Sequence, residues 1–314
     1  MIRLLIGLAI VIPLGLDLYL PIPEDNALTA AKVRLGRDLF RNAILSRDRT
    51  LACASCHDPR RAFTDGRSLA VGVEGKVGTR NAPTLINRAY GRSQFWDGRA
   101  HSLEQQVLEP IENPRELGAG VDTAVRRLVS SPLYRLRFRV AFGRDVNAQD
   151  LARALASYVR TILAGDSPFD RYANGIANAL SDEARSGLEI FRGKAGCSTC
   201  HSGPTMSDER FHNTGVAWQG GEWKDLGRFL VTGAAQDRGA FKTPTLREVD
   251  RTAPYMHDGS LSTLDAVIDY YDRGGNPAPS RDADLKPLGL TADEKRQLIA
   301  FLRSLTGMVR EGGF

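Results

Sequence analysis

The sequence predicts a mainly α-helical chain built from two related halves, with long loops and little β-structure. Three observations carry this. The motif Cys-x-x-Cys-His occurs twice, at Cys53/Cys56/His57 and Cys197/Cys200/His201, and each copy follows a helical stretch with the signature Gly-x-x-x-Phe. Each half closes on a further apolar pattern at helical spacing. Strand-like alternation is confined to short stretches such as Gly227 to Thr232.

In chain order, Met1-Ile2-Arg3 leads into an apolar run from Leu4 to Leu16, interrupted by Pro13 and ended by Asp17. A positive start and a run of this length fit a secretory signal, whereas a membrane span needs ~20 apolar residues. No Ala-x-Ala cleavage pattern follows, so an uncleaved anchor is the alternative for residues 1–22. Either form places the body of the chain outside the cytoplasm.

The first domain is expected over residues 23–165. Its opening helix, Ala30 to Arg41, has Val33, Leu35, Leu39 and Phe40 apolar and carries Gly36 and Phe40 as its signature pair. Its closing helix repeats Leu151, Leu155, Tyr158, Val159 and Ile162. A boundary falls near Gly165-Asp166-Ser167-Pro168, and the second domain is expected over 166–314. There Ser181 to Arg192 repeats the opening pattern, with Leu188, Ile190 and Phe191 apolar and Gly187 paired with Phe191. Thr291 and Glu294 form a capping box ahead of Leu298, Ile299, Leu302 and Leu305. The loops Asp65 to Pro83 and Gly215 to Gly239 are longer than a compact domain ordinarily needs, which marks them as functional.

The chain has 314 residues, of which 42% are hydrophobic and 25% charged, as expected of a globular protein with a buried core. Its net charge of +5 reads as solvated surface or as a docking preference for an acidic partner, without the clustering that nucleic-acid binding requires. All four cysteines belong to the two motifs, so none is left for a disulfide.

Thiols at i and i+3 lie on one helical turn, where both can form thioethers to the vinyl groups of one haem while the following His turns onto the iron. Two such units imply two haem c groups. A zinc ribbon separates its cysteine pairs by ~15–20 residues, and a thioredoxin-like motif needs a βαβ setting. Neither pattern is present.

The stretches LSRDRTLACASCHDP, GTRNAPTLIN, QFWDGRAHSLEQQ, NPRELG, GLEIFRGKAGCSTCHSGP and TAPYMHDGSLSTLDAV run in order along nearly the whole chain. Together they resemble the bacterial dihaem cytochrome c peroxidase family, which includes the MauG-type enzymes. The resemblance implies a peroxide-reactive N-terminal haem, an electron-transferring C-terminal haem, and a calcium ion between them held by Asn81, Thr252 and Pro254. The alternative for Asn81 is a turn residue.

The resemblance also assigns roles around the haems. Many family members place a distal His in the loop after the first motif. No His occurs from Asp58 to Arg80 here, and Val73 stands near that position, implying an open first iron; His101 is the alternative ligand. Glu116 corresponds to the base that moves a proton during peroxide cleavage, with Gln106 beside it. Asn113-Pro114-Arg115-Glu116 also reads as a helix cap. Trp96 corresponds to a relay between the haems, its alternative being a core residue.

The helix beginning at Ser262, with a Ser-x-x-Asp box, places Tyr271 on the face of Leu264, Val267 and Ile268, and turns Tyr270 away. Typical peroxidases of the family carry an axial Met here and MauG-type enzymes a Tyr, so Tyr271 is the expected sixth ligand. Met256, Met206, His212 or a merely packed Tyr271 are the alternatives. A phenolate favours ferric and higher states where a thioether favours ferrous iron.

The resulting expectation is a periplasmic, peroxide-dependent oxidoreductase. Its oxidising power goes to a partner protein's side chain or to detoxification with electrons from a small c-type cytochrome. The third reading is a non-catalytic electron carrier.

Overall fold

The computed structural model describes residues 19–313, and the apolar run from Leu4 to Leu16 lies outside them. The chain adopts the expected mainly helical architecture, with three two-stranded antiparallel sheets among the described residues. No helix among them is long and apolar enough to cross a membrane.

Helix Ala30–Phe40 starts at Thr29, whose side chain accepts from Lys32 N, and packs on helix Ala148–Arg160, capped by Asn147. Helix Asp182–Arg192, capped by Ser181, packs in the same way on helix Ala292–Arg303, which carries the predicted Thr291/Glu294 capping box. The signature glycines explain these crossings. A Cβ on Gly36 would lie 2.0 Å from the Ala154 carbonyl oxygen, and one on Gly187 would lie 1.9 Å from that of Gln297. Only glycine allows the backbones this close. One turn later Phe40 meets Tyr158 at 5.0 Å between ring centroids, and Phe191 meets Phe301 at 4.8 Å.

Buried apolar side chains form two clusters, one drawn from Leu35 to Ala164 and the other from Leu180 to Leu305. Two backbone hydrogen bonds join the halves in a reciprocal way. Asn81 N donates to His257 O and Lys242 N donates to Trp96 O, both at 2.7 Å. Asn81 and Lys242 each stand two residues before a Pro-Thr-Leu, and Trp96 and His257 each precede Asp-Gly, so the contact relates the two repeats by an approximate two-fold. Ion pairs reinforce it: Arg80 reaches Asp97 at 2.6 Å and Asp225 at 2.7 Å, and Arg88 reaches Glu209 at 2.8 Å. Strand Met308–Arg310 returns to pair with strand Leu163–Gly165, and Glu311 then bonds Arg41 and Tyr158.

Three local expectations are corrected. Gly227 to Thr232 forms no strand; it contains the helical turn Phe229–Thr232, bounded by Gly227 and Gly233 at positive φ. The helix expected from Ser262 starts one residue later, with Thr263 as cap and Leu264–Asp272 as its span. Asn113 to Glu116 does not open a helix: the next one begins at Val121, whose N–H is taken by Glu112.

Candidate functional site

A cavity of about 1180 Å³ lies between the halves and is lined by both Cys-x-x-Cys-His units. It exceeds the ~300–1,000 Å³ of an ordinary single-ligand site. The first motif forms the helical turn Cys53–Cys56 and the second a tighter turn, Cys197–Thr199. Both histidines are half-buried and fixed alike: His57 Nδ1 lies 3.1 Å from Phe63 O, and His201 Nδ1 lies 3.0 Å from Met206 O. A proton on Nδ1, donated to the carbonyl, leaves the Nε2 lone pair for a metal. Burial also lowers both imidazole pKa values, favouring the neutral ligand form. Thr84 and Thr245 hold the facing loops, their hydroxyls donating to Ala62 O and Thr205 O. Two thiols beside a tautomer-fixed His, twice over, with an apolar-lined space between them, is a donor set that fits two haem c groups.

On the first-motif side, Glu116 and Gln106 both line the cavity. Glu116 accepts from Asn113 Nδ2 at 2.7 Å, and burial raises its pKa above the usual carboxylate value, with Arg99 opposing. This removes the helix-cap reading of Glu116, because no helix starts there. Val73 is buried, and its N–H donates to Glu116 O at 2.9 Å. Gly72 lies so close to the same backbone that a Cβ would fall 2.1 Å from Arg115 O. The loop therefore braces the Glu116 segment. His101 is exposed and away from the cavity, which removes it as a ligand alternative.

Trp96 lines the cavity rather than a core, and its Nε1 donates to Asn81 O at 2.9 Å. It sits on the reciprocal contact between the halves. Asn81, Thr252 and Pro254 also line the cavity, and the Asn81 amide is oriented by donating to Arg67 O at 2.7 Å.

On the second-motif side, Tyr271 lines the cavity beside Thr214. Its phenol pKa is raised by burial, with Tyr270, Cys197 and Cys200 adding to the effect. Tyr270 is turned from the cavity, yet it is buried: its hydroxyl donates to Thr214 O at 2.8 Å. Among the alternatives, Met206 is packed in the second core cluster and off the cavity. His212 is clamped between Asp282 at 2.5 Å and Asp208 at 3.0 Å, and the Asp282 contact is the first cause of a pKa raised to about 11, so its ring nitrogens are occupied. Met256 lines the cavity.

Sequence reading missed one residue that a count from the helix caps exposes. Ser102 and Thr263 cap equivalent helices, and eight residues on stand Pro110 and Tyr271. Both line the cavity. Proline breaks the first helix into Leu103–Gln106 and Glu109–Glu112 and offers no ligand atom, where the second helix continues and presents a phenol. The signal was the equal spacing from Ser-Leu and Thr-Leu.

Residues 30–178 match the family model described as di-haem cytochrome c peroxidase. The chain is 41% identical over 287 residues to the methylamine utilization protein MauG of Methylorubrum extorquens, covering 91% of this chain and 81% of that one. It is 35% identical to the cytochrome c551 peroxidase of Nitrosomonas europaea, covering 91% and 84%. Among solved structures, a MauG-like protein associated with microbial copper homeostasis superposes with a TM-score of 0.85 at 33% identity, covering 91% of this chain and 92% of that one.

Proposed function

The chain belongs to the di-haem cytochrome c peroxidase family and is a dihaem peroxidase-type enzyme, and we propose that within this family it works in the MauG-like manner, passing oxidising equivalents from peroxide to a partner protein. The observation that carries this reading is the asymmetry of the cavity: Tyr271 at one motif, and at the other Pro110 with no imidazole from residues 58–80.

Two haem c groups, on Cys53/Cys56/His57 and Cys197/Cys200/His201, would supply a peroxide-reactive iron in the first half and an electron-transferring iron in the second. Glu116 accepts one peroxide proton and returns it to the leaving oxygen, a role its raised pKa suits. Gln106 offers an amide to orient the peroxide. Val73 and Gly72 hold the Glu116 backbone in place. Trp96, tied to Asn81 and Lys242, is the bridge between the halves. Tyr271, on the cavity beside the second motif, would offer its phenol oxygen to the second haem iron, whose positive charge would oppose the effect of burial and favour the phenolate. Asn81, Thr252 and Pro254 supply hard oxygen donors of the kind calcium takes. Residues 23–165 act as the peroxidatic domain and 166–314 as the electron-transfer domain. Residues 1–22 export the chain to the periplasm or anchor it there.

Detoxification with electrons from a small cytochrome is the second reading, favoured only if Met256, also on the cavity, displaces Tyr271. The optical and EPR spectra of the oxidised protein test the choice. One high-spin and one low-spin haem, without Met–iron charge-transfer absorption, is the expected result. Tyr271→Met should create that absorption and raise the second site's midpoint potential by at least on the order of 0.1 V. A Met-type band already present in the unsubstituted protein would overturn the proposal.

A further inference from the structure

Away from the cavity, residues 123–144 contain six arginines and no acidic residue, a concentration hidden by the mild overall charge. They cover most of helix Val121–Val129 and all of helix Pro132–Phe142. The second of these buries Tyr134 and Phe138 and turns Leu133, Leu136 and Val140 outward, 53%, 62% and 67% exposed. These three fall at i, i+3 and i+7, a single strip on the solvent side. Val129, at the end of the preceding helix, is also exposed. At 100° per residue, Arg135 and Arg139 flank the strip on one side and Arg137 on the other.

Most of these arginines remain available to an anion. Arg135 has no ion pair among the described residues, and Arg126 bonds only the Thr123 hydroxyl. Arg137 pairs with Asp38 and Arg139 with Asp145, contacts at the surface that hold their guanidinium groups weakly, whereas Arg144 is held in a bidentate pair by the buried Asp150. Only Arg127 is turned inward, onto the carbonyls of Ile44, Ser46 and Arg47.

The chemistry of the face selects its occupant. An exposed aliphatic strip between arginines is the pattern of a helix lying in a lipid interface. No residue from 118 to 150 lines the cavity, so an electron-exchanging protein seated here would be held away from the redox groups. A second copy would bring arginine against arginine. Nucleic acid would find aliphatic residues where single strands stack on aromatics. The chain also enters the described structure beside this face: Lys32 lies over the Phe142 ring at 5.3 Å, and Asp25 pairs with Arg153. The apolar run Leu4 to Leu16 precedes that entry point.

We propose that this face seats on an anionic lipid surface, with Leu133, Leu136 and Val140 entering the headgroup boundary and the flanking arginines pairing with lipid phosphates. The proposal is independent of the peroxide chemistry.

The test uses the full-length holoprotein with phosphatidylcholine vesicles, with and without phosphatidylglycerol, and a nitroxide at Leu136→Cys. A second label at Ile176→Cys, an exposed site in the other half, is the control. On anionic vesicles the label at 136 should lose collisions with a water-soluble relaxant and gain them with oxygen, while the label at 176 stays unchanged. Arg135→Gln with Arg139→Gln, or Leu133→Ser with Val140→Ser, should each cut the lipid-shielded fraction at 136 about tenfold. If the label at 136 stays as water-exposed as that at 176 while the protein binds through its N-terminal run, the proposal fails. It fails equally if only a protein or a nucleic acid shields that label.

Discussion

Gly36 and Gly187 occupy the same helix crossing, Phe40 and Phe191 meet Tyr158 and Phe301 in the same way, and His57 and His201 are fixed by the same kind of carbonyl. Yet Pro110 stands where Tyr271 does, Trp96 where His257 does, and Asn81 where Lys242 does. The two halves agree where the backbone must be braced and where the two motifs meet the cavity, and differ at a few of the other side chains that line it. Duplication supplied two equal mounts for a redox group; substitution at a few cavity positions left Pro110 and the buried Glu116 beside one mount and the Tyr271 phenol beside the other. His257 shows how far the divergence goes. Both line the cavity, but Trp96 bonds Asn81 through its indole, whereas His257 stacks on Phe241 at 3.7 Å and burial lowers its pKa to about 4.

The sharpest way to break the comparison is to remove the acid–base group that only the first half has. Glu116→Gln keeps the shape and the Asn113 contact while abolishing proton exchange. Peroxide consumption should fall by ~10²–10⁴-fold, the span general acid–base catalysis contributes. The pH profile decides the cause. Burial raises the Glu116 pKa, so the carboxylate base is present above that value and lost as pH falls through it, at higher pH than for an ordinary carboxylate. The rate should therefore show an acid limb in that range, absent in the variant. An unchanged rate, or a limb that persists in Glu116→Gln, would clear this residue of the role.

A smaller effect tests whether the two mounts are equivalent. Gly36→Val and Gly187→Val each push a side chain into a carbonyl of the facing helix, an obstacle of backbone that cannot rotate aside. Each should destabilise the holoprotein by ~3 kcal/mol or more, the upper range for overpacking, read from urea unfolding. Equal losses would confirm matched crossings. A loss at one site alone would show that one half carries the stability of both.

How much of this was legible in the sequence follows the same division. The helices and their partners were readable because Gly36/Phe40 and Gly187/Phe191 repeat at one spacing and the closing helices carry clear periodicity. Periodicity grouped Tyr271 with Leu264 and Val267, which also line the cavity, but it set Tyr270 on the outer side, where the fold buries it under Thr214. The reciprocal bonds Asn81–His257 and Lys242–Trp96 were not readable, because any residue has the backbone groups that make them. Glu116 stayed ambiguous because Asn-Pro-x-Glu has the chemistry of a cap; only the backbone shows that Asn113 bonds the carboxylate and Glu112 does the capping instead. Residues 123–144 passed as ordinary basic surface, since exposure, not composition, separates Leu133 from Tyr134.

The smallest expected effect addresses how each half holds its cavity helix. Ser102 Oγ accepts from Gln105 N and Thr263 Oγ1 accepts from Ala266 N, both at 3.1 Å. Removing such a cap costs about 1 kcal/mol, but the two sites are braced differently. The short first helix is also held by Glu104, which bonds Asn26 and Arg160, and by Gln105, whose side chain accepts from His101 N. The longer second helix has fewer such ties at its start, and it carries Tyr271 seven residues beyond its first position. Ser102→Ala should therefore cost a few tenths of a kcal/mol, well below the usual value, and leave both sites spectroscopically intact. Thr263→Ala should cost about the full amount and loosen the phenol, broadening the low-spin EPR signal of the second site. The reverse order would place the rigidity of the Tyr271 helix in its packing against helix Ala292–Arg303 rather than in its cap.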